Sequence, residues 1–140
     1  MKINRVILPL NKEVVIEDDI ILDKTSRYYS SQMLEDTVVH AKASCFETGD
    51  FLTIDLEVRC DLTLQCAYTL EPVPYKLYFK DTIEISDDEK DEDMIYINKN
   101  QFTIDEIILS LVSVHLPLKV VKKGAKLPSS GKGFRVLTEE

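Results

Sequence analysis

No apolar run in this chain of 140 residues approaches the roughly 18–20 residues that a helix needs to cross a bilayer. Its start, Met1-Lys2-Ile3-Asn4-Arg5, leads only into a short apolar stretch, Val6 to Leu10, broken by Pro9. That is not an export signal, so the expectation is a cytoplasmic protein with no membrane partner. Cysteine is scarce, at three, and in that compartment the thiols are expected to be reduced. Histidine is scarcer, at two, His40 and His115. A nucleophile, a base and an orienting group must lie within reach of one another, and no such set can be assembled from these residues, so no catalytic residue is assigned. Glycine is limited to four residues. Gly131-Lys132-Gly133 fails as a phosphate loop: Gly124 lies one residue too far back, and Gly133 stands where a hydroxyl must hold magnesium. Internal repeats and dividing linkers are absent, so the length predicts one domain, able to bury a core without staples.

Charge is plentiful but uneven. The net charge is −8. Residues 1–118 hold 11 basic and 23 acidic side chains, whereas residues 119–140 hold 6 basic and 2 acidic ones. An acidic body argues against a general nucleic-acid coat. The basic tail, Lys119, Lys122, Lys123, Lys126, Lys132 and Arg135, is the candidate for phosphate contact. It carries no aromatic stacking platform, since Phe134 is alone, so sequence-specific single-strand reading is not supported. Residues 87–93 place six acids in seven positions, which repel one another and read as a solvated loop.

The dominant pattern is at residues 52–66. Leu52, Ile54, Leu56, Val58, Cys60, Leu62, Leu64 and Cys66 are apolar, and every residue between them is polar. Side chains alternate across a strand, so this is a strand with one face on a core. At about 3.3 Å per residue it would span roughly 50 Å, against about 40 Å for a domain of this size. It is therefore expected to curl, bulge or break. Residues 38–46 alternate in the opposite parity and lead through Glu47-Thr48-Gly49-Asp50, a hairpin loop in which Gly49 supplies a positive φ. Alternation resumes from Val73 to Ile85, after an interruption at 67–72 where Pro72 and Pro74 mark a turn or a sheet edge. Residues 2–10 and 13–22 read as extended segments, the second interrupted by Asp18-Asp19. Residues 23–35 read as a loop and Met94–Ile97 as a short strand.

Ile104, Ile107, Ile108, Leu111 and Val112 change the period to that of a helix, about 103–115. Thr103 and Glu106 match a capping box, and Pro117 stops the helix. The expected fold is α+β: an antiparallel, strongly coiled or barrel-like sheet with one main helix packed on it. A domain over 1–118 is followed by an irregular or flexible basic tail over 119–140. Cys45, Cys60 and Cys66 all face inward by parity. Cys60 and Cys66 stand roughly 20 Å apart along a straight strand, too far to share a bond or a metal. They read as small buried hydrophobes.

Cys66-Ala67-Tyr68-Thr69-Leu70-Glu71-Pro72-Val73 resembles the Cys-x-Arg-Cys-Leu-Glu-Pro-Val segment of the YceD family, the bacterial large-ribosomal-RNA-subunit accumulation proteins. The acidic loop followed by Phe102-Thr103-Ile104-Asp105-Glu106-Ile107-Ile108-Leu109, and the Leu-Pro-Leu-Lys at 116–119, fit the same family in order and spacing. The motif residues carried over are Cys66, Leu70, Glu71 and Pro72. The chain departs from the pattern at Tyr68, where the family has arginine, and at Thr69, where it has cysteine. The family's tail, Cys-Lys-Gly-Leu-Cys-Pro-x-Cys-Gly, is matched only by Lys122-Lys123-Gly124, Leu127-Pro128 and Ser130-Gly131, with no cysteine. Thiolates are what a zinc site of that type requires, so no zinc and no other cofactor is expected.

The resemblance implies a non-enzymatic role in synthesis, processing or stability of large-subunit (23S) ribosomal RNA. The partners would be that RNA or its precursor, ribosomal proteins, or both, with no small-molecule substrate. Two alternatives stand beside it. One is an adaptor that docks a basic ribosomal protein through the acidic loop without RNA contact. The other is a β-barrel binding a small ligand inside a curled sheet.

Overall fold

The computed structural model describes residues 1–117, together with the backbone of residues 120–121 and 137–138. The elements in chain order are β1 (Lys2–Asn4), β2 (Glu13–Leu22), β3 (Thr37–Glu47), β4 (Phe51–Gln65), β5 (Pro72–Ser86), β6 (Ile95–Tyr96), β7 (Gln101–Thr103), α1 (Asp105–His115), β8 (Val120–Val121) and β9 (Leu137–Thr138). The main sheet has five strands in the order β2-β3-β4-β5-β6. β1 and β7 form a separate antiparallel ribbon, and β8 pairs with β9 in parallel.

Parity builds the core. Along β4 every even position from Leu52 to Leu64 is buried, along β3 every odd position from Thr37 to Glu47, and along β5 Val73, Leu77, Phe79, Ile83 and Ile85. β4 and β5 pair without interruption from Phe51↔Ser86 to Gln65↔Pro72. The long strand therefore neither bulges nor breaks. Its other flank changes partner instead. β3 pairs with it only from His40↔Arg59 to Glu47↔Leu52, and beyond that Met33 bridges to Leu64. Gly49, in the hairpin between β3 and β4, has φ +98°, the left-handed conformation its position demands.

The sheet is open and mixed, not an antiparallel barrel. Closure would require the first and last strands to pair. Here β6 is two residues long and runs parallel to the end of β5, and among the described residues β2 pairs only with β3. Asp18 and Asp19 do not interrupt β2: they pair with Ala41 and His40 inside a ten-residue strand. The Asp19 side chain points outward to His40 Nδ1 at 2.7 Å, and Asp18 meets the Met1 ammonium at 3.2 Å. That ammonium, with the Asp19 N–H, holds Asp18 below the ordinary carboxylate range, and by also pairing with Asp105 it ties the start of β1 to the start of α1.

The helix lays Ile104, Ile108, Leu109 and Val112 into the same core as the sheet, with Ile107 and Leu111 half-buried at its margin. The capping box does not form. Thr103 is the last residue of β7, paired with Lys2, and the helix begins after Ile104, which has no side-chain cap. Thr103 Oγ1 instead accepts a hydrogen bond from the Asp105 N–H at 3.3 Å. The helix ends at His115, two residues before Pro117, as a proline's exclusion of helical conformation from its predecessor predicts.

One buried ion pair pins the N-terminal segment to the β3–β4 hairpin. Arg5 Nε and Nη2 donate to the Glu47 carboxylate at 2.5 and 2.8 Å, and both side chains are less than a tenth exposed. The Gly49 N–H adds a bond to Glu47 at 3.1 Å, and the Glu47 carbonyl accepts from the Asn11 N–H at 2.8 Å. Burial alone would raise the Glu47 pKa. The Arg5 hydrogen bonds, the Gly49 N–H and the Arg5 charge together outweigh it and hold the carboxyl below its ordinary 4.5.

Two measurements test this frame. Ile108→Ala will cost roughly 3 kcal/mol of stability in urea unfolding, and Ile108→Asp will abolish the cooperative transition; a folded Ile108→Asp protein would refute the packing. Because the folded pKa of Glu47 is depressed, its contribution is complete above the unfolded value and is lost as pH falls through the folded one. Glu47→Gln will therefore be less stable than the parent by roughly 3 kcal/mol at neutral pH, where it leaves Arg5 without its hydrogen-bonded counter-ion. The gap will narrow as pH falls below 4.5. A constant gap down to pH 3 would show that the pair contributes no charge term.

Candidate functional site

Cys66 to Pro72, which carry the family-like motif, form the turn between β4 and β5. The Cys66 N–H donates to the Glu71 carbonyl at 2.8 Å, and the Leu70 N–H donates to the Cys66 carbonyl at 3.1 Å. Glu71 N–H reaches Thr69 Oγ1 at 3.3 Å. Cys66 is fully buried, so the turn is anchored at its root by an inward thiol side chain. β5 then begins at Pro72, with Pro74 opposite Thr63. Prolines are tolerated there because β6 covers only Ile85 and Ser86, leaving the start of β5 as an edge.

The turn contains no glycine, and Leu70 takes its left-handed position with φ +63°. A Cβ-bearing residue in that conformation is strained by about 1–2 kcal/mol. The same leucine is 65% exposed, so the turn presents a strained apolar side chain to solvent.

Residues 32–34, read from the sequence as loop, run alongside the end of β4. The Gln65 N–H donates to the Gln32 carbonyl at 2.8 Å, and the Leu34 N–H to the Thr63 carbonyl at 3.0 Å. Gln32 Nε2 donates in turn to the Pro117 carbonyl at 3.0 Å. Pro117 is where the chain leaves α1 toward the basic residues. The motif turn and the root of the tail are thus brought to one end of the sheet, although 50 residues of sequence lie between Cys66 and Pro117. Lys119, Lys122, Lys123, Lys126, Lys132 and Arg135 lie outside the described residues.

The remaining candidates separate. Cys45, Cys60 and Cys66 are all buried, and burial pushes the Cys45 and Cys60 thiols up to about 11 and about 12. Both stay protonated near neutrality and are poor nucleophiles and ligands. Cys60 lies on β4, which runs without a bulge to Gln65, and Cys66 follows directly, so the separation of roughly 20 Å stands. Among the described residues, no three His, Cys, Asp or Glu side chains gather as metal ligands. The histidines lie on opposite faces. His40 pairs with Asp19 outside, and His115 stacks on inward-facing Phe79 with ring centroids 4.0 Å apart, its Nε2 3.9 Å from Asp81. The outer sheet face is a mosaic of both signs, with rows such as Glu17, Lys42, Glu57 and Lys80 side by side across β2 to β5.

The acidic loop is more constrained than its composition predicts. All side chains from Asp87 to Asp93 are exposed, but the buried Ser86 hydroxyl donates to Asp91 Oδ2 at 2.6 Å and accepts from the Asp88 N–H at 3.0 Å. Backbone bonds Asp91 N to Asp88 O and Ile97 N to Ser86 O, at 3.1 and 2.9 Å, hold the rest.

No family model, curated protein or solved structure matches the chain. Among the described residues, no helix is long and apolar enough to cross a membrane.

The strain at Leu70 has a measurable consequence. Leu70→Gly will raise stability by roughly 0.5–1 kcal/mol in urea unfolding, relief of strain exceeding the added freedom of the unfolded chain. A loss of stability would show that the exposed leucine packs in a way its exposure denies.

Proposed function

We propose that the chain is a non-enzymatic factor in the synthesis, processing or stability of large-subunit (23S) ribosomal RNA, acting in the cytoplasm. In this reading residues 1–118 are the folded body and residues 119–140 supply the RNA contact. The observation that carries it is the meeting of the YceD-like turn, Cys66–Val73, with Pro117, the root of the basic segment, through Gln65 and Gln32. The acidic body repels phosphate, so RNA contact is confined to the six cations, Lys119, Lys122, Lys123, Lys126, Lys132 and Arg135. A mixed RNA–protein particle fits such a molecule better than bare RNA.

A second reading has its own support. The acids of 87–93 stand exposed on a loop that the Ser86 hydroxyl and the backbone hold in shape, as an adaptor for a basic ribosomal protein would need. The small-ligand reading depended on a closed, curled sheet, and the sheet is open.

Replacing all six tail cations by glutamine separates the two. Each cation on a phosphate contributes roughly 0.7–0.9 to the slope of log K against log salt. Binding to large-subunit RNA fragments, measured by filter binding from 50 to 300 mM salt, will weaken and lose most of that slope. An unchanged slope would remove the tail as the RNA contact and favour the acidic loop.

A further inference from the structure

β2 is the free edge of the main sheet, ten residues long, and among the described residues it is paired on one side only. In an antiparallel edge strand every second residue turns its N–H and C=O away from the neighbour, so β2 offers an unfilled hydrogen-bonding rail. Its inner-facing Val14 and Ile16 are only half-buried. With Lys2, Ile7, Leu8, Pro9 and Phe102 they line an open, largely apolar groove of about 650 Å³. In the same N-terminal segment Val6, Ile7 and Leu10 are each at least 60% exposed. A contiguous exposed apolar surface beside an open strand edge marks an interaction site.

The charges on the edge select the occupant. β2 carries four acids, Glu13, Glu17, Asp18 and Asp19, and no base. Glu13, Glu17 and Asp19 lie on the outer side, where an added strand would place every second side chain. Asp18, bound to the Met1 ammonium, interrupts the apolar inner side, so the receptive stretch is Glu13 to Glu17. We propose that this edge receives a short extended segment of a partner protein in which apolar residues alternate with lysine or arginine. The apolar side chains fill the groove against Val14, Ile16 and Phe102. The basic ones lie over Glu13 and Glu17, and the backbone pairs with β2. Backbone pairing supplies affinity in such strand addition, and alternate side chains supply selectivity. The described site draws on no residue of 119–140, so its test is separate from that of RNA binding.

The test uses the full chain and an acetylated, amidated heptapeptide, Lys-Val-Lys-Ile-Lys-Val-Lys, followed by amide chemical shifts. Saturable shifts are expected at Val14 to Glu17, Ile7, Leu8 and Phe102. A peptide of the same composition with its lysines gathered at one end should bind at least tenfold more weakly. So should the parent peptide to the Glu13→Lys/Glu17→Lys protein, and Ile7→Ser should weaken it about fivefold. All three altered side chains are exposed, and retention of the remaining amide spectrum shows that the fold is kept. Equal binding of both peptides would reduce the effect to attraction by an acidic body and overturn the proposal. So would shifts centred on residues 87–93. Two results with no peptide present would also overturn it: concentration-dependent broadening of Val14 to Glu17, which assigns the edge to a second copy, or cross-strand proton contacts from these residues to residues 119–140, which assign it to the chain's own tail.

Discussion

Fifteen residue pairs join β4 to β5 with no bulge between Phe51↔Ser86 and Gln65↔Pro72, and this ladder sets the inside and outside of everything around it. A shift of one residue would carry every apolar side chain to the wrong face. The shift is opposed by Leu52, Ile54, Val58, Leu64, Val73 and Ile85, all nearly inaccessible to solvent. Because parity is preserved along the ladder, β3 buries its odd positions against the even ones of β4, and the helix finds one continuous apolar floor for Ile104, Ile108 and Val112. The Arg5–Glu47 pair sits at the end of this floor, where the apolar lining of β3 gives out, and fastens the N-terminal segment to it.

The ladder also decides where its turn must lie. At Cys66 the chain reverses with five residues before Pro72 and no glycine among them, so the left-handed position falls on Leu70. The strain is tolerated because Cys66 is buried at the root and the Cys66–Glu71 and Leu70–Cys66 bonds close the turn. The same end gathers Gln32 and Pro117, so the motif and the departure point of the basic segment share one edge of the molecule. At the flank of the sheet, β2 keeps, among the described residues, an open edge beside an apolar groove.

Local periodicity carried much of this in advance. The alternation of 52–66, the opposite parity of 38–46, the Gly49 turn, the resumed alternation of 73–85 and the helix stop before Pro117 all follow from side-chain direction and backbone sterics within a few residues. The inward placement of Cys45, Cys60 and Cys66 followed from the same parity. What misled were signals whose meaning depends on a distant partner. Asp18 and Asp19 look like an interruption until His40 and the Met1 ammonium are placed beside them. Thr103 looks like a cap until Lys2 pairs with it in the β1–β7 ribbon. The acids of 87–93 look free until the buried Ser86 hydroxyl is found holding Asp91.

By itself, then, the sequence determined the long strands at 38–46, 52–66 and 73–85, the main helix, and which face of each is apolar, because those properties repeat over two or four residues. It did not separate Lys2–Asn4 from the turn that follows or find the strand at Gln101–Thr103. Tertiary structure alone decided that the sheet stays open, that β6 joins in parallel, that residues 2–4 pair with 101–103, and that Gln32 ties the Cys66–Glu71 turn to Pro117. Those are choices of partner between segments tens of residues apart. They depend on how the strands lie once the core has closed, and no local pattern encodes them.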